Sequence, residues 1–79
     1  MDIYETKDFY LAAFLMCKGY KFVGSHNTTK GVYFHFQYEN KDKLNSLLNL
    51  FVNHQALVNM SKFVKIQGFL RHELDKYRT

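Results

Sequence analysis

The most apolar stretch of the chain lies near its start, and the rest of the sequence is organised around it. Every position from Phe9 to Cys17 is apolar or aromatic, inside the longer segment Thr6–Gly19. Thr6 has the side chain of a helix N-cap, and Gly19 suits the left-handed residue that follows a helix end. We therefore expect a helix here. Because it lacks a polar face, it must be covered on nearly all sides.

Two shorter segments follow in which apolar and polar residues alternate. Tyr20–Gly24 and Val32–Glu39 show the period of two that is typical of strands. The intervening Ser25–Gly31 is rich in turn-forming residues, so we expect a hairpin with a loop longer than the tightest types. The side of the second strand that faces the core is predicted to carry Val32, Phe34, Phe36 and Tyr38.

Two amphipathic helices are predicted in the second half of the chain. The first spans Lys41–Val52, and the second is capped by Asn59 or Ser61 and runs to about Tyr77. Their apolar residues recur at helical spacing, which defines one core-facing stripe on each helix. These residues are Leu44, Leu47, Leu48 and Phe51 in the first helix, and Phe63, Ile66, Leu70, Leu74 and Tyr77 in the second.

Two parts of the sequence, one segment and one glycine, are compatible with more than one structure. Ala56–Val58 fits either a short strand beside the hairpin or an anchored loop, and Gly68 marks either a close approach of another backbone or a weak point of the last helix. The predicted order is α-β-β-α-(β)-α. It describes an α+β fold in which a small antiparallel hairpin or three-stranded sheet packs against three helices. The chain, residues 1–79, is predicted to form a single small globular domain.

Composition narrows the class of protein. The 79 residues carry a formal net charge of +4, which permits an acidic or nucleic-acid partner without requiring one. The single cysteine, Cys17, cannot form an intrachain disulfide, and we expect it to be a buried, inert thiol in a reducing compartment. The opening residues lack the basic region of a signal peptide, and the apolar run is far shorter than the ~20 residues of a membrane span. We therefore expect a cytoplasmic protein without a membrane association.

The opening of the chain resembles a family of small uncharacterised domains, domain of unknown function 5659. The resemblance rests on a distinctive run of aromatic, small and polar residues: Tyr4, Thr6, Asp8, Tyr10, Leu11, Ala12, Ala13, Leu15, Lys18 and Gly19. A later aromatic pair, Phe34 and Phe36, and the Ala56–Val58 stretch also match. The resemblance covers nearly the whole chain and supports the fold. It implies no activity, and it implies a source among microbes or their viruses.

The sequence shows no pattern that is typical of a catalytic, metal or cofactor site. The four histidines and Cys17 lack the spacings of metal ligands, so we expect four independent surface or edge histidines. No glycine-rich phosphate-binding motif occurs, and the few carboxylates fall at predicted helix starts or on solvent faces. We therefore expect a protein that is not an enzyme, with no catalytic residues, no metal and no cofactor.

Two candidate surfaces remain. Exposed aromatic side chains beside cations can hold nucleic acid by stacking and phosphate contact, and the residues that could do so are Lys21, Lys30, Tyr33, His35, Lys62, Lys65 and Arg71. Alternatively, part of the first helix is left uncovered by its own chain and forms an interface, through Tyr10, Phe14 and Cys17. A self-contained monomer and a symmetric homodimer both fit this pattern.

The favoured function is a small non-enzymatic protein-interaction module. Such a module could be an accessory or inhibitor protein of a phage or mobile element, acting in the host cytoplasm if viral, or a subunit of a larger assembly. The alternative is a small basic nucleic-acid-binding protein that uses the aromatic strand face and the basic last helix. The interaction module is favoured because the positive charge is modest and is interrupted by Glu73 and Asp75.

Overall fold

A computed structural model describes residues 2–78, which form three strands and three helices. The elements are β1 (Asp2–Thr6), α1 (Phe9–Cys17), β2 (Lys21–Thr28), β3 (Gly31–Tyr38), α2 (Lys41–Val52) and α3 (Met60–Asp75). The order β-α-β-β-α-α makes an α+β fold, as predicted. Among residues 2–78, no helix is long and apolar enough to cross a membrane.

The sheet has three antiparallel strands in the order β1-β3-β2, so the hairpin strand β3 lies at its centre. The third strand comes from the N-terminus, since Tyr4 lies opposite Phe36 and Thr6 opposite Phe34. Ala56–Val58, left open in sequence as strand or loop, lies in the loop between α2 and α3. Ala56 and Val58 pack against the core from this loop, while the intervening Leu57 is 81% exposed.

The start of α1 differs from the prediction by two residues. Thr6 ends β1, and the N-cap is Asp8, whose Oδ1 accepts hydrogen bonds from the backbone N–H groups of Tyr10 and Leu11, both at 3.0 Å. The Thr6 hydroxyl accepts instead from the Asp8 backbone N–H at 3.1 Å, and so fixes the turn between β1 and α1. The predicted end is confirmed, because Gly19 follows the helix with a φ of 91°.

The hairpin is tighter than predicted. Only Thr29 and Lys30 separate the two strands, and Ser25–Thr28, expected in the loop, continues β2. The Thr28 hydroxyl closes the turn, since it accepts from the Lys30 backbone N–H at 3.1 Å and donates to the Gly31 carbonyl at 2.9 Å. Ser25–Thr28 contains no apolar residue, so the sequence shows no alternation there that would predict a strand.

The core lies between one face of the sheet and the three helices. Leu11–Leu15 of α1 are buried, together with Phe34 and Phe36 of β3. Leu44 and Leu70 bring α2 and α3 onto this cluster, and the remaining predicted stripe residues of both helices except Tyr77 pack around it. The predicted core face of β3 and both helix stripes are therefore confirmed. α1 packs chiefly against α3, so the apolar middle of α1 is covered by its own chain.

Candidate interaction surface

The structure divides the predicted nucleic-acid residues between two sides of the molecule. Lys21, Tyr33 and His35 lie on the sheet face opposite Phe34 and Phe36, because side chains alternate along a strand. Lys30 lies in the hairpin turn. The other three residues, Lys62, Lys65 and Arg71, belong to α3, which packs on the core side of the sheet. The seven residues therefore do not form one continuous surface.

Tyr33 is partly occupied by a neighbouring ring of its own chain. The His26 imidazole stacks on it, with ring centroids 5.4 Å apart and an interplanar angle of 8°. Both residues are half-buried. One face of the Tyr33 ring is thus already covered, which leaves less of it for stacking with a base.

The expectation of four independent histidines is wrong for His26 and His35. Nδ1 of His26 lies 2.6 Å from Nε2 of His35, within hydrogen-bond distance, and Nε2 of His35 lies 3.9 Å from Oε1 of Glu5. We call Glu5, His26, Tyr33 and His35 the outer sheet cluster. The sequence prediction missed it because it placed His26 in a loop, whereas the tight hairpin brings residues nine positions apart onto neighbouring strands. Only the correct strand register would have shown that His26 and His35 lie on the same face of the sheet.

The residues of the predicted interface have three different environments. Phe14 is 1% exposed and packs in the core, so it offers no surface to a partner in this fold. Tyr10 is 55% exposed, and Cys17 is half-buried beside Lys62, whose Nζ donates to the Cys17 carbonyl at 3.4 Å. Burial raises the pKa of the Cys17 thiol, and this outweighs the opposing effect of Lys62 and Lys18. The thiol is therefore a weak nucleophile at neutral pH.

The excess positive charge of the chain is confined to one segment. Between Asp42 and Glu73 the sequence contains four basic residues and no acidic one. The other seven basic and seven acidic residues cancel, so this segment accounts for the whole net charge of +4. Its basic residues are Lys43, Lys62, Lys65 and Arg71. The excess of basic over acidic residues therefore comes from α2 and α3.

The same segment exposes large apolar side chains. Val52, Leu57, Met60 and Val64 are each more than half exposed. Met60 and Val64 are four residues apart on α3 and so lie next to each other on its surface. Arg71, seven residues after Val64, lies on the same side of α3, whereas Lys62 and Lys65 project from other sides of the helix. We call Val52, Leu57, Met60 and Val64, with Arg71, the α2–α3 surface. The spacing of apolar residues predicted the core-facing stripe of each helix. It did not predict which other apolar residues stay exposed, because that depends on how the helices pack.

Lys43 lies apart from the α2–α3 surface, at an open groove of about 330 Å³. Lys18 and Lys21 also line this groove, together with Tyr20, Gln37 and Glu39. The groove lies where α1 ends and α2 begins, and its lysines are the C-cap of α1, the first residue of β2 and a residue in the first turn of α2. It extends the positive potential of the chain without adding exposed apolar surface.

The fold is thus that of a small α+β domain with an open sheet face and a basic, apolar helical side. The chain belongs to the family described as Domain of unknown function (DUF5659), whose model matches residues 1–74. No curated protein and no solved structure matches the chain. The membership confirms the resemblance seen in the sequence, and it brings no activity with it.

Proposed function

We propose that this protein is a non-enzymatic protein-interaction module whose α2–α3 surface binds an acidic, partly apolar surface of another protein. The observation that carries this proposal is the coincidence of two features in one segment. The most exposed large apolar side chains, Leu57, Val52 and Met60, lie in the segment between Asp42 and Glu73 that carries the excess of basic residues. One of these basic residues, Arg71, lies on the same side of α3 as Met60. A partner that presents apolar side chains flanked by carboxylates would complement both features.

The apolar residues supply the affinity in this proposal. Complete burial of a Val, Leu or Met side chain is favourable by about 1.5–3 kcal/mol, and the folded chain leaves most of this gain unused at Leu57 and Met60. Met60 has a flexible thioether side chain that can adapt to the shape of a partner. Its neighbour Val64 extends the same side of α3, as an apolar ridge would require.

Arg71 supplies orientation and association rate in this proposal. Arg71 is held in place by the Phe9 ring, with its guanidinium carbon 5.2 Å from the ring centroid. A side chain that is already ordered loses less conformational entropy on binding. The charge also disfavours a second copy of this chain as the occupant, because a symmetric dimer through this surface would bring like charges together.

Nucleic acid is the less favoured partner for this surface. Phosphate contacts need cations, and exposed Leu57, Met60 and Val64 contribute nothing to them. Tight nucleic-acid binding is therefore one of the results that would contradict this proposal.

We also propose where such a module would act. A role as an accessory or inhibitor protein of a phage or mobile element, or as an assembly subunit, requires binding and no chemistry. We infer a reducing compartment such as the cytoplasm from the use of a single cysteine, which has no partner in the chain for a disulfide.

The test is a selection of partners from a random peptide library, with the full chain immobilised. We expect enrichment of peptides that combine Asp or Glu with Leu, Ile, Phe or Met. Their binding should weaken as salt rises, because the charged contacts are screened. The double variant Met60→Ser with Val64→Ser should lower the affinity for the selected peptides by at least an order of magnitude. Ile3→Thr is the matched control, since it removes an exposed apolar group from the opposite sheet face.

Three outcomes would overturn the proposal. One is the absence of enriched peptides. Another is binding that the double variant leaves unchanged or that Ile3→Thr lowers equally. The third is tight binding of oligonucleotides that survives the double variant but is lost when Lys62 and Lys65 are replaced by Gln.

A further inference from the structure

Three strands bring metal-ligating side chains to one point on the outer sheet face. Glu5 of β1 lies directly opposite His35 of β3, and His26 of β2 lies opposite Tyr33, two residues from His35 along β3. All three potential ligands, Glu5, His26 and His35, therefore lie on the face that points away from the helices. This cluster plays no part in the α2–α3 surface.

We propose that Glu5, His26 and His35 form a binding site for a divalent transition-metal ion, with Zn²⁺ as the ion the ligands fit best. One potential ligand atom from each residue lies within 4.8 Å of the other two. In a tetrahedral Zn²⁺ site with bonds of about 2.0–2.1 Å, neighbouring ligand atoms are about 3.3 Å apart. The observed separations of 2.6 Å and 3.9 Å lie on either side of this value.

The movements needed for coordination are small. To reach the tetrahedral spacing, the two imidazoles must separate by roughly 0.7 Å, and the Glu5 carboxylate must approach His35 by roughly 0.6 Å. The separation of Glu5 and His26, which is within 4.8 Å, must shorten by at most roughly 1.5 Å. Glu5 is exposed, so its side chain can make this movement by changing rotamer. The proton shared by Nδ1 of His26 and Nε2 of His35 moves to the other nitrogen of the ring that carries it, which leaves two neutral imidazole ligands.

The donor set decides the class of ion. Two imidazole nitrogens and one carboxylate suit Zn²⁺ and its first-row neighbours, whereas Mg²⁺ and Ca²⁺ prefer sites made of oxygen atoms. The stack of His26 on Tyr33 restricts the imidazole plane, so this ligand is already partly oriented. Three protein ligands leave the fourth position for water or for a group from another molecule. The inference is one of binding and includes no reaction.

The test is a titration of the metal-free full chain with Zn²⁺ by calorimetry, and with Co²⁺ by visible absorption. We expect one strong site per chain, and Co²⁺ bands of the intensity that is typical of tetrahedral coordination. His35→Gln should lower the Zn²⁺ affinity by at least an order of magnitude. The matched control is His54→Gln with His72→Gln, which removes the two histidines outside the cluster and should leave the affinity unchanged.

Two further measurements keep the inference testable if a histidine variant fails to fold. Glu5→Gln changes an exposed side chain and should weaken Zn²⁺ binding while the far-ultraviolet circular dichroism stays the same. In the wild-type chain, Zn²⁺ should shift the ¹⁵N resonances of Nδ1 of His26 and Nε2 of His35. The inference is overturned if no such shift occurs, if Zn²⁺ does not bind, or if the control variant loses binding as fully as His35→Gln.

Discussion

At the scale of single residues, the two glycines next to and inside helices have opposite roles. Gly19 has a φ of 91°, a conformation that strains any residue with a Cβ atom. Gly68 lies in the middle of α3 and is exposed, and a Cβ added there would meet no atom within 4 Å. Of the two interpretations that the sequence left open for Gly68, the structure supports the weak point.

Gly68→Ala is therefore expected to stabilise the protein. An Ala in place of Gly inside a helix is favourable by about 0.5–1 kcal/mol, because it removes conformational freedom from the unfolded chain. Gly19→Ala should destabilise it by about 1–2 kcal/mol, since Ala resists the left-handed conformation. Urea denaturation of the two variants measures both effects. Equal signs for the two substitutions would contradict the assignment.

At the scale of elements, one buried carboxylate joins α3 to β2. The Oε2 atom of Glu73 accepts a hydrogen bond from the Ser25 hydroxyl at 3.0 Å, and the same hydroxyl lies 2.8 Å from the hydroxyl of Tyr77. Glu73 is buried, and the hydrogen bond from Lys76 is the main reason that its pKa is lowered, with Ser25 adding to the effect and burial opposing it. Closeness in sequence allowed Lys76 or Tyr77 as a partner of Glu73, and the Lys76 pair is present. The pairing with Ser25 spans 48 positions and has no local signal.

The lowered pKa of Glu73 makes stability depend on pH. The folded state binds the proton less well than the unfolded state, so the contribution is complete above the ordinary glutamate pKa of about 4.3 and is lost as pH falls through the folded value. At pH 7, Glu73→Gln should lower the free energy of unfolding by about 0.5–1.5 kcal/mol, because the Lys76 partner is open to solvent and the Gln amide oxygen can still accept from Ser25. The substitution should also make the free energy of unfolding fall less steeply as the pH is lowered.

The control for this prediction is Asp75→Asn. It removes an ion pair with Arg78, 3.6 Å long and open to solvent on both sides, so it should change the free energy of unfolding little. Urea denaturation between pH 3 and pH 7 gives the comparison. A Glu73→Gln variant with the same pH profile as the wild type would show that the carboxylate does not contribute in this way.

At the scale of the whole molecule, the sheet separates the two proposed binding regions. The outer sheet cluster lies on one side, and the helices that carry the α2–α3 surface lie on the other, with the apolar core between them. Sites that share no contact usually act independently.

Variants of the two regions should therefore have separate effects. His35→Gln should abolish strong Zn²⁺ binding and leave the affinity for the selected peptides unchanged. Met60→Ser with Val64→Ser should do the reverse. Calorimetry with both ligands on both variants measures this directly. Coupling greater than the usual additivity error of about 0.5 kcal/mol would mean that the two regions communicate through the core.

The sequence by itself determined the elements that local physics specifies. The apolar run of α1 with Gly19 at its end, the alternation that places Phe34 and Phe36 inward, and the helical spacing from Leu44 to Phe51 each follow from periodicity and backbone preference. The family resemblance was visible between Tyr4 and Gly19, at Phe34 and Phe36, and in Ala56–Val58, and the match over residues 1–74 confirms it.

The tertiary structure decided what depends on pairing between distant segments. Asp2–Thr6 lacks the alternation of apolar and polar residues that predicts a strand, and it becomes one because β3 offers an edge for pairing. Asp8, not Thr6, caps α1, since Thr6 is needed in that strand. The meeting of Glu5, His26 and His35 requires three strands in one register, and the exposure of Met60 and Val64 requires a packed α3. Contacts across the sheet have no local signal in the sequence, and so only the folded chain reveals these two surfaces.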